Sequence, residues 1–307
     1  MIDRLMNNIE KLGAPIVVGL DPTPDIVPEV FFTDAAKSEG ETPGAGAQAF
    51  FRFNCEIIDA VAGIVPAVKP NIAFYERYGL EGIRAYIKTT EYAMDKGLMV
   101  IGDIKRGDIG STAAAYAGHL EPASLFGEEF EIWSEDAVTL NPYLGEDSIK
   151  PFLDVMENRD KGIYLLVKTS NPGSADIQDL IVENRPLYEH VAGLVSKWGE
   201  AEGMMGEQGY SKVGAVVGAT HPETGARLRD LMPHTFFLVP GYGAQGAGAK
   251  DVRRFFDAGG RGSIVNSSRG IIGAWKADGK GTAGIAEVGE AARAAAIKMR
   301  DELGAVL

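Results

Sequence analysis

The 307-residue chain predicts an α/β fold, a closed (β/α)8 TIM barrel with an extra N-terminal helix and extended loops, and three observations lead there. Eight short, continuous apolar runs recur along it, of the kind that strands buried on both faces of a parallel sheet require. Most are followed by apolar residues at helical spacing or by a turn-rich linker leading to them. The first run closes in GLDPTPD, where an open, doubly wound dinucleotide-binding sheet normally carries a Gly-rich turn.

Met1, Leu5, Ile9 and Leu12 come first, at helical spacing, and predict a helix that covers part of the barrel's bottom. The strand-like runs follow as Ile16 to Asp21, Val65 to Lys69, Leu98 to Asp103, Asp136 to Leu140, Gly162 to Lys168, Val213 to Gly218, Phe236 to Val239 and Ser263 to Asn266. Helical spacing lies between them in Phe50, Phe53, Ile57 and Val61, in Leu80, Ile83 and Ile87, and in Val252, Phe255 and Phe256. Three stretches exceed what a simple barrel needs: 22–48, 119–135 and 171–212. The first, rich in Gly, Pro and acidic residues, reads as surface loop. With no convincing boundary, internal repeat or low-complexity tail, residues 1–307 are expected to form a single barrel domain.

Composition narrows the function. Hydrophobic residues at 45% and charged residues at 24% are ordinary for a soluble globular enzyme, and 39 glycines suit many turns between short elements. A formal charge of −13 disfavours nucleic acid and membrane surfaces, which are polyanionic, as partners. The lone cysteine, Cys55, has no intrachain partner and reads as a small hydrophobe in a helical stretch. No apolar stretch approaches the ~20 residues of a membrane helix, and MIDRLMNNIEKLG lacks a signal peptide's apolar core, so the cytoplasm is the expected compartment.

The densest chemistry is GDIKRGDIGST, Gly102 to Thr112, on the end of the third run. If the strand continues through Lys105, Asp103 and Lys105 share one side, because side chains alternate. Asp108 follows where the chain leaves the strand. Two carboxylates and an ammonium this close cost folding energy unless mutually paired, and such groupings are enriched at reactive sites; a structural ion pair is the alternative.

Barrel active sites lie at the carboxyl ends of the strands. There the sequence collects Asp21, then Lys69 with Pro70 and Asn71, then Asp103 and Lys105, then Lys168, Thr169 and Ser170. After the seventh run comes PGYGAQGAG, Pro240 to Gly248, and after the eighth NSSRGI, Asn266 to Ile271. Loops in those two places commonly bind phosphate, with glycines allowing close backbone approach, Gln245 donating from its amide and Arg269 clamping two oxygens. His119, His190, His221 and His234 have no metal-site spacing, and no HExxH, Cys/His cluster or Walker loop is present. His221 lies in THPET, a helix start or surface position.

These blocks resemble the orotidine 5′-phosphate decarboxylase family, in its longer bacterial subgroup (type 2). The match runs through GLDPTPD, AVKPNIAFYE, DIKRGDIGSTAAAY, TSNPG, PGYGAQG and SSRG, spanning residues 19 to 271. The resemblance implies conversion of orotidine 5′-phosphate to uridine 5′-phosphate and CO2, without metal or organic cofactor, in a homodimer with shared active sites. It makes Lys105 the catalytic lysine, Asp103 the aspartate facing the substrate carboxylate, and Asp108 an aspartate contributed across the dimer interface. Asp21 and Lys69 would hold the ribose hydroxyls and complete the charged network. Thr112 would reach the partner's ligand, Ser170 the pyrimidine ring, and Gln245 and Arg269 the phosphate, beside Pro240 and Gly241. Tyr242 stands where shorter relatives have a smaller apolar residue, and the resemblance gives it no role. The rival readings are a magnesium-dependent phosphosugar decarboxylase or aldolase of the same superfamily and a non-catalytic phosphosugar-binding protein. A glutamate at the end of the second strand would favour the first; Lys69 stands in that region.

Overall fold

Eight parallel strands close on themselves in the order β1-β8-β7-β6-β5-β4-β3-β2. They are β1 (Ile16–Leu20), β2 (Ala67–Pro70), β3 (Met99–Arg106), β4 (Ala137–Leu140), β5 (Gly162–Lys168), β6 (Ser211–Val217), β7 (Thr235–Pro240) and β8 (Ser263–Ser267). This is a computed structural model describing residues 1–243, 246–279 and 281–307. The barrel class is as the sequence predicts, with each strand shifted by a few residues at most.

Alternation divides each strand between two cores. Val17, Ala67, Met99, Ile101, Tyr164, Phe236, Leu238 and Ile264 fill the barrel interior. Their neighbours Val18, Val68, Val100, Val138, Leu165 and Val265 face the outer helices. Helix α1 (Ile2–Leu12) sends Met1, Ile2, Leu5 and Met6 into the interior core, which plugs the bottom as expected. It stops at Gly13, whose φ of +59° lets its N–H reach back to the carbonyls of Ile9 and Glu10.

The segment expected as surface loop is a correction. Residues 22–48 hold α2 (Glu29–Glu39), which buries Phe31 and Ala35, and the first turns of α3 (Pro43–Val61). Glycines and prolines sit at the helix ends rather than breaking helices: Pro28 precedes α2, and Thr42 accepts from Ala45 N just before Pro43. Phe50, Phe53, Ile57 and Val61 are all buried, as the spacing predicts.

Helix α4 (Gly79–Asp95) exists where Leu80, Ile83 and Ile87 place it, but presents another face. It buries Gly82, Ala85, Tyr86, Thr89, Thr90 and Ala93, and Leu80 is 71% exposed. Small residues are needed there, since a Cβ at Gly82 would stand 1.9 Å from the Tyr75 carbonyl oxygen. Val252, Phe255 and Phe256 are buried on a single α turn, Ala249–Val252, followed by a 3-10 turn. The other long stretches carry two small hairpins, Ala123–Leu125 with Glu128–Phe130 and Ile181–Val182 with Arg185–Pro186, and the helix Leu187–Gly199. Cys55 lies half-buried on α3, where burial, then Asp59 and Glu56, pushes its thiol up to about 12.

Candidate active site

β2 and β3 deliver the centre of the site. Asp103 is 7% exposed, and its two oxygens are fully engaged. Oδ2 accepts from Lys69 Nζ at 2.7 Å and Asn71 Nδ2 at 3.4 Å; Oδ1 accepts from Lys105 Nζ at 2.5 Å and Thr139 Oγ1 at 2.9 Å. Asp103 and Lys105 do share a side, though not by simple alternation. β3 bulges against β4 between Gly102 and Arg106, and Lys105 takes a φ of +46°.

The charges set one another. Burial pushes the Asp103 carboxyl up, but the Lys69 and Lys105 ammonium groups overcome it and hold it well below the ordinary carboxylate range. Lys69 is likewise pushed down by burial and restored, to above its usual value, by Asp103, Asp21 and the Asp103 hydrogen bond. Removing either partner would strand an uncompensated buried charge.

Two cavities open at this mouth and share Lys69, Asp103 and Pro240. One, of about 440 Å³, is bounded by Asp21, Asn71, Gly241, Tyr242, Asn266 and Arg269. The other, of about 370 Å³, is walled by Lys105, Thr139, Leu166, Ser170, Gln178 and Leu238. Both fall in the size range of small-molecule sites. Asp21 Oδ1 and Asn266 Oδ1 are buried in the first cavity with no hydrogen-bond partner among the described residues, so it offers two acceptors to hydroxyl donors. Exposed Arg269 supplies fixed positive charge at its rim. The second cavity is mostly apolar, flanked by Leu166, Val216 and Leu238, with the ammonium of Lys105 at its wall. The arrangement therefore separates a polar end, with Arg269 at its rim, from a mostly apolar end, with the charged cluster between them.

Of the residues the sequence nominates, Asp21, Lys69, Asp103, Lys105, Ser170, Pro240, Gly241 and Arg269 converge on these cavities. Asp108 and Thr112 do not. Asp108 Oδ1 accepts from Ile109 N, and Thr112 is exposed on the first turn of α5 (Gly110–Ala117). Gln245 lies outside the described residues. Lys168 closes β5 but turns from the cavities to Asp179, 2.6 Å away. Tyr242 borders the first cavity and donates to Glu302 Oε2 at 2.7 Å. Its phenol is raised, first by burial and then by that carboxylate. His221 is the residue before the helix Pro222–Leu231, in keeping with its reading as a helix start.

Strand-end reading named Asn71 and the block Asn266 to Ile271 without giving Asn71, Asn266 or Ser268 a role, and missed Thr139 and Gln178. Asn71 and Asn266 sit beside nominated residues, so adjacency was the available signal. Thr139, inside AVTL, carries none beyond being the polar residue of an apolar run. Among the described residues no group of three or more His, Cys, Asp or Glu side chains is placed to hold a metal ion.

The comparisons agree in one direction. Residues 14–281 match the model of the orotidine 5′-phosphate decarboxylase / HUMPS family. Orotidine 5′-phosphate decarboxylase of Rhodopirellula baltica is 44% identical over 300 residues, covering 96% of both chains. That of Caldicellulosiruptor bescii is 45% identical over 278 residues, 89% of this chain and 90% of the relative. Among solved structures, Leishmania donovani OMP decarboxylase superposes with a TM-score of 0.74 at 31% identity, covering 99% of this chain and 97% of that one.

Proposed function

Because this chain belongs to the orotidine 5′-phosphate decarboxylase / HUMPS family, we propose that the charged mouth of its barrel is the catalytic machinery, with Lys105 as proton donor. The enzyme is a carboxy-lyase that decarboxylates orotidine 5′-phosphate to uridine 5′-phosphate in pyrimidine biosynthesis. The observation that carries the assignment of roles is the Lys69–Asp103–Lys105 chain, in which Lys69 and Asp103 are buried, Lys105 reaches the open mouth and both Asp103 oxygens are occupied.

The chemistry demands such a chain. When the bond from ring carbon six to the carboxylate breaks, its electron pair stays on that carbon and CO2 departs. The carbanion is very poor in water, so charge must be met where it develops. The Lys105 ammonium meets it and then gives its proton to the same carbon, becoming an amine that solvent reprotonates. Lys69 and Asp103 hold that ammonium in place without reorganising. Asp103 also stands where a substrate carboxylate must come, next to an oxygen that cannot take a proton at neutral pH.

The cavities divide the substrate. Asp21 and Lys69 suit the ribose hydroxyls, and Arg269, with Gly241 and Pro240, the phosphate, for which the family resemblance nominates Gln245 as well; Ser170 and the apolar wall suit the pyrimidine. Grip on the remote phosphate supplies binding energy for orientation at the reacting bond. Ile109 (53% exposed), Tyr143 (79%) and Leu144 (49%) are exposed apolar side chains that follow the ends of neighbouring β3 and β4 along the chain. These residues, with Asp108 and Thr112 off the two cavities of their own chain, support a homodimer in which Asp108 and Thr112 serve the partner's site. Among the described residues no helix is long and apolar enough to cross a membrane; the place of this family in pyrimidine biosynthesis is the ground on which we assign the enzyme to the cytoplasm.

The test is the loss of orotidine 5′-phosphate absorbance with purified protein, with and without chelator. Turnover unchanged by EDTA is expected. Turnover abolished by EDTA would contradict the metal-free mechanism, and no turnover of orotidine 5′-phosphate at all would contradict the assignment and favour the phosphosugar readings.

A further inference from the structure

β3 and β4 are paired at Gly102 with Val138 and again at Arg106 with Leu140. Between those pairs β3 runs through Asp103, Ile104 and Lys105, whereas β4 has only Thr139. The bulge breaks the ladder at the residue that carries the ammonium, and Lys105 adopts a φ of +46°, a region sparsely populated by residues with a Cβ. Some contact has to hold it there.

Thr139 is 1% exposed and faces that gap. Its Oγ1 accepts from the Lys105 backbone N–H at 3.0 Å and donates to Asp103 Oδ1 at 2.9 Å. A hydroxyl has one donor hydrogen and two lone pairs, so both bonds are satisfied at once. The Asp103 oxygen it touches is the one that Lys105 Nζ touches at 2.5 Å. One side chain thus fixes both ends of the lysine: its backbone directly, its ammonium through the carboxylate.

We infer that Thr139 is a positioning residue for the decarboxylation, aiming the Lys105 ammonium at the carbon it protonates. The inference rests on the assignment of Lys105 as proton donor. Valine keeps the shape of threonine without the hydroxyl, and serine keeps the hydroxyl without the methyl. Losing a hydrogen bond to a charged group should lower kcat of Thr139→Val by about 10- to 100-fold, with KM within about 3-fold of wild type. Thr139→Ser should recover kcat to within about 3-fold.

Thermal midpoints of both variants separate aim from stability, because a merely structural threonine would make kcat track the midpoint across the pair. Thr139→Val at full kcat, or Thr139→Ser as slow as Thr139→Val, would overturn the inference while leaving the enzyme's activity as the wild type shows it. A wild type that does not turn over orotidine 5′-phosphate would instead contradict the functional reading beneath it.

Discussion

Asp103 accepts from two lysines, a threonine and an asparagine while almost wholly out of water. Its folded pKa lies below the unfolded one, so its contribution to stability is present above about pH 4 and is lost as pH falls through the folded value. Lys69 is raised, so its contribution is present below about pH 10.5 and is lost as pH rises through the folded value. Between those limits the pair is fully charged and stability should be flat with respect to these two groups. Asp103→Asn leaves Lys69 as a buried ammonium without its nearest counter-charge, which should cost about 3–5 kcal/mol at pH 7; burial then drives the Lys69 amine down, so the alkaline loss disappears and stability rises with pH instead. Urea unfolding across pH measures both; an unchanged alkaline limb would contradict the pairing. At this scale the sequence was most readable where charge interrupts apolar runs, hence Asp21, Lys69, Asp103 and Lys105. It was silent on Thr139, since a threonine suits a parallel strand whether or not its hydroxyl is used.

Elements place these residues by close approach. A Cβ at Gly19 on β1 would stand 1.8 Å from Ser268 Oγ and 3.2 Å from Ser268 Cα, at the edge of the cavity that Arg269 borders. Gly19→Ala must therefore push the β8 end outward. The expected result is a rise in KM of about 10-fold or more with a smaller loss of kcat, since uniform binding is lost through the phosphate grip rather than the proton transfer. Steady-state kinetics checks this, and equal losses in kcat alone would contradict it. Gly218 makes a similar fit, where a Cβ would come within 2.7 Å of the Ser170 backbone. The strands were legible because burial on both faces imposes long apolar runs. α2 was not, because the Pro28 and Gly40 that bound it read as loop punctuation. α4 was found but turned, because its inner face is made of alanine, glycine, threonine and one tyrosine, while its isoleucines lie half-buried at the side.

At the scale of the whole molecule, a chain of net charge −13 that binds a phosphorylated, carboxylated substrate relies on local cations, and the lysines of β2 and β3 with Arg269 provide them. The barrel class followed from the count and character of the strand runs. A homodimer followed only from the family resemblance, because exposed residues such as Ile109 and Tyr143 read as ordinary loop in one chain. Mixing Lys105→Ala with Asp108→Ala tests shared sites, since each mixed dimer rebuilds one complete site. About one quarter of wild-type activity should return at equal mixing. If subunits exchange and activity stays absent, Asp108 does not serve its neighbour. The residues 1–307 should also unfold as one domain, in a single transition by fluorescence and circular dichroism.

The central claim is that the Lys105 ammonium meets and protonates the carbanion left by CO2. Single-turnover decarboxylation of orotidine 5′-phosphate by Lys105→Ala, at saturating enzyme so that binding is not limiting, tests it most directly. The expected result is a fall in the chemical step of at least about 10³-fold with uridine 5′-phosphate still bound, in line with removal of a preorganised charge and a proton donor together. A rate within a few-fold of wild type would contradict it.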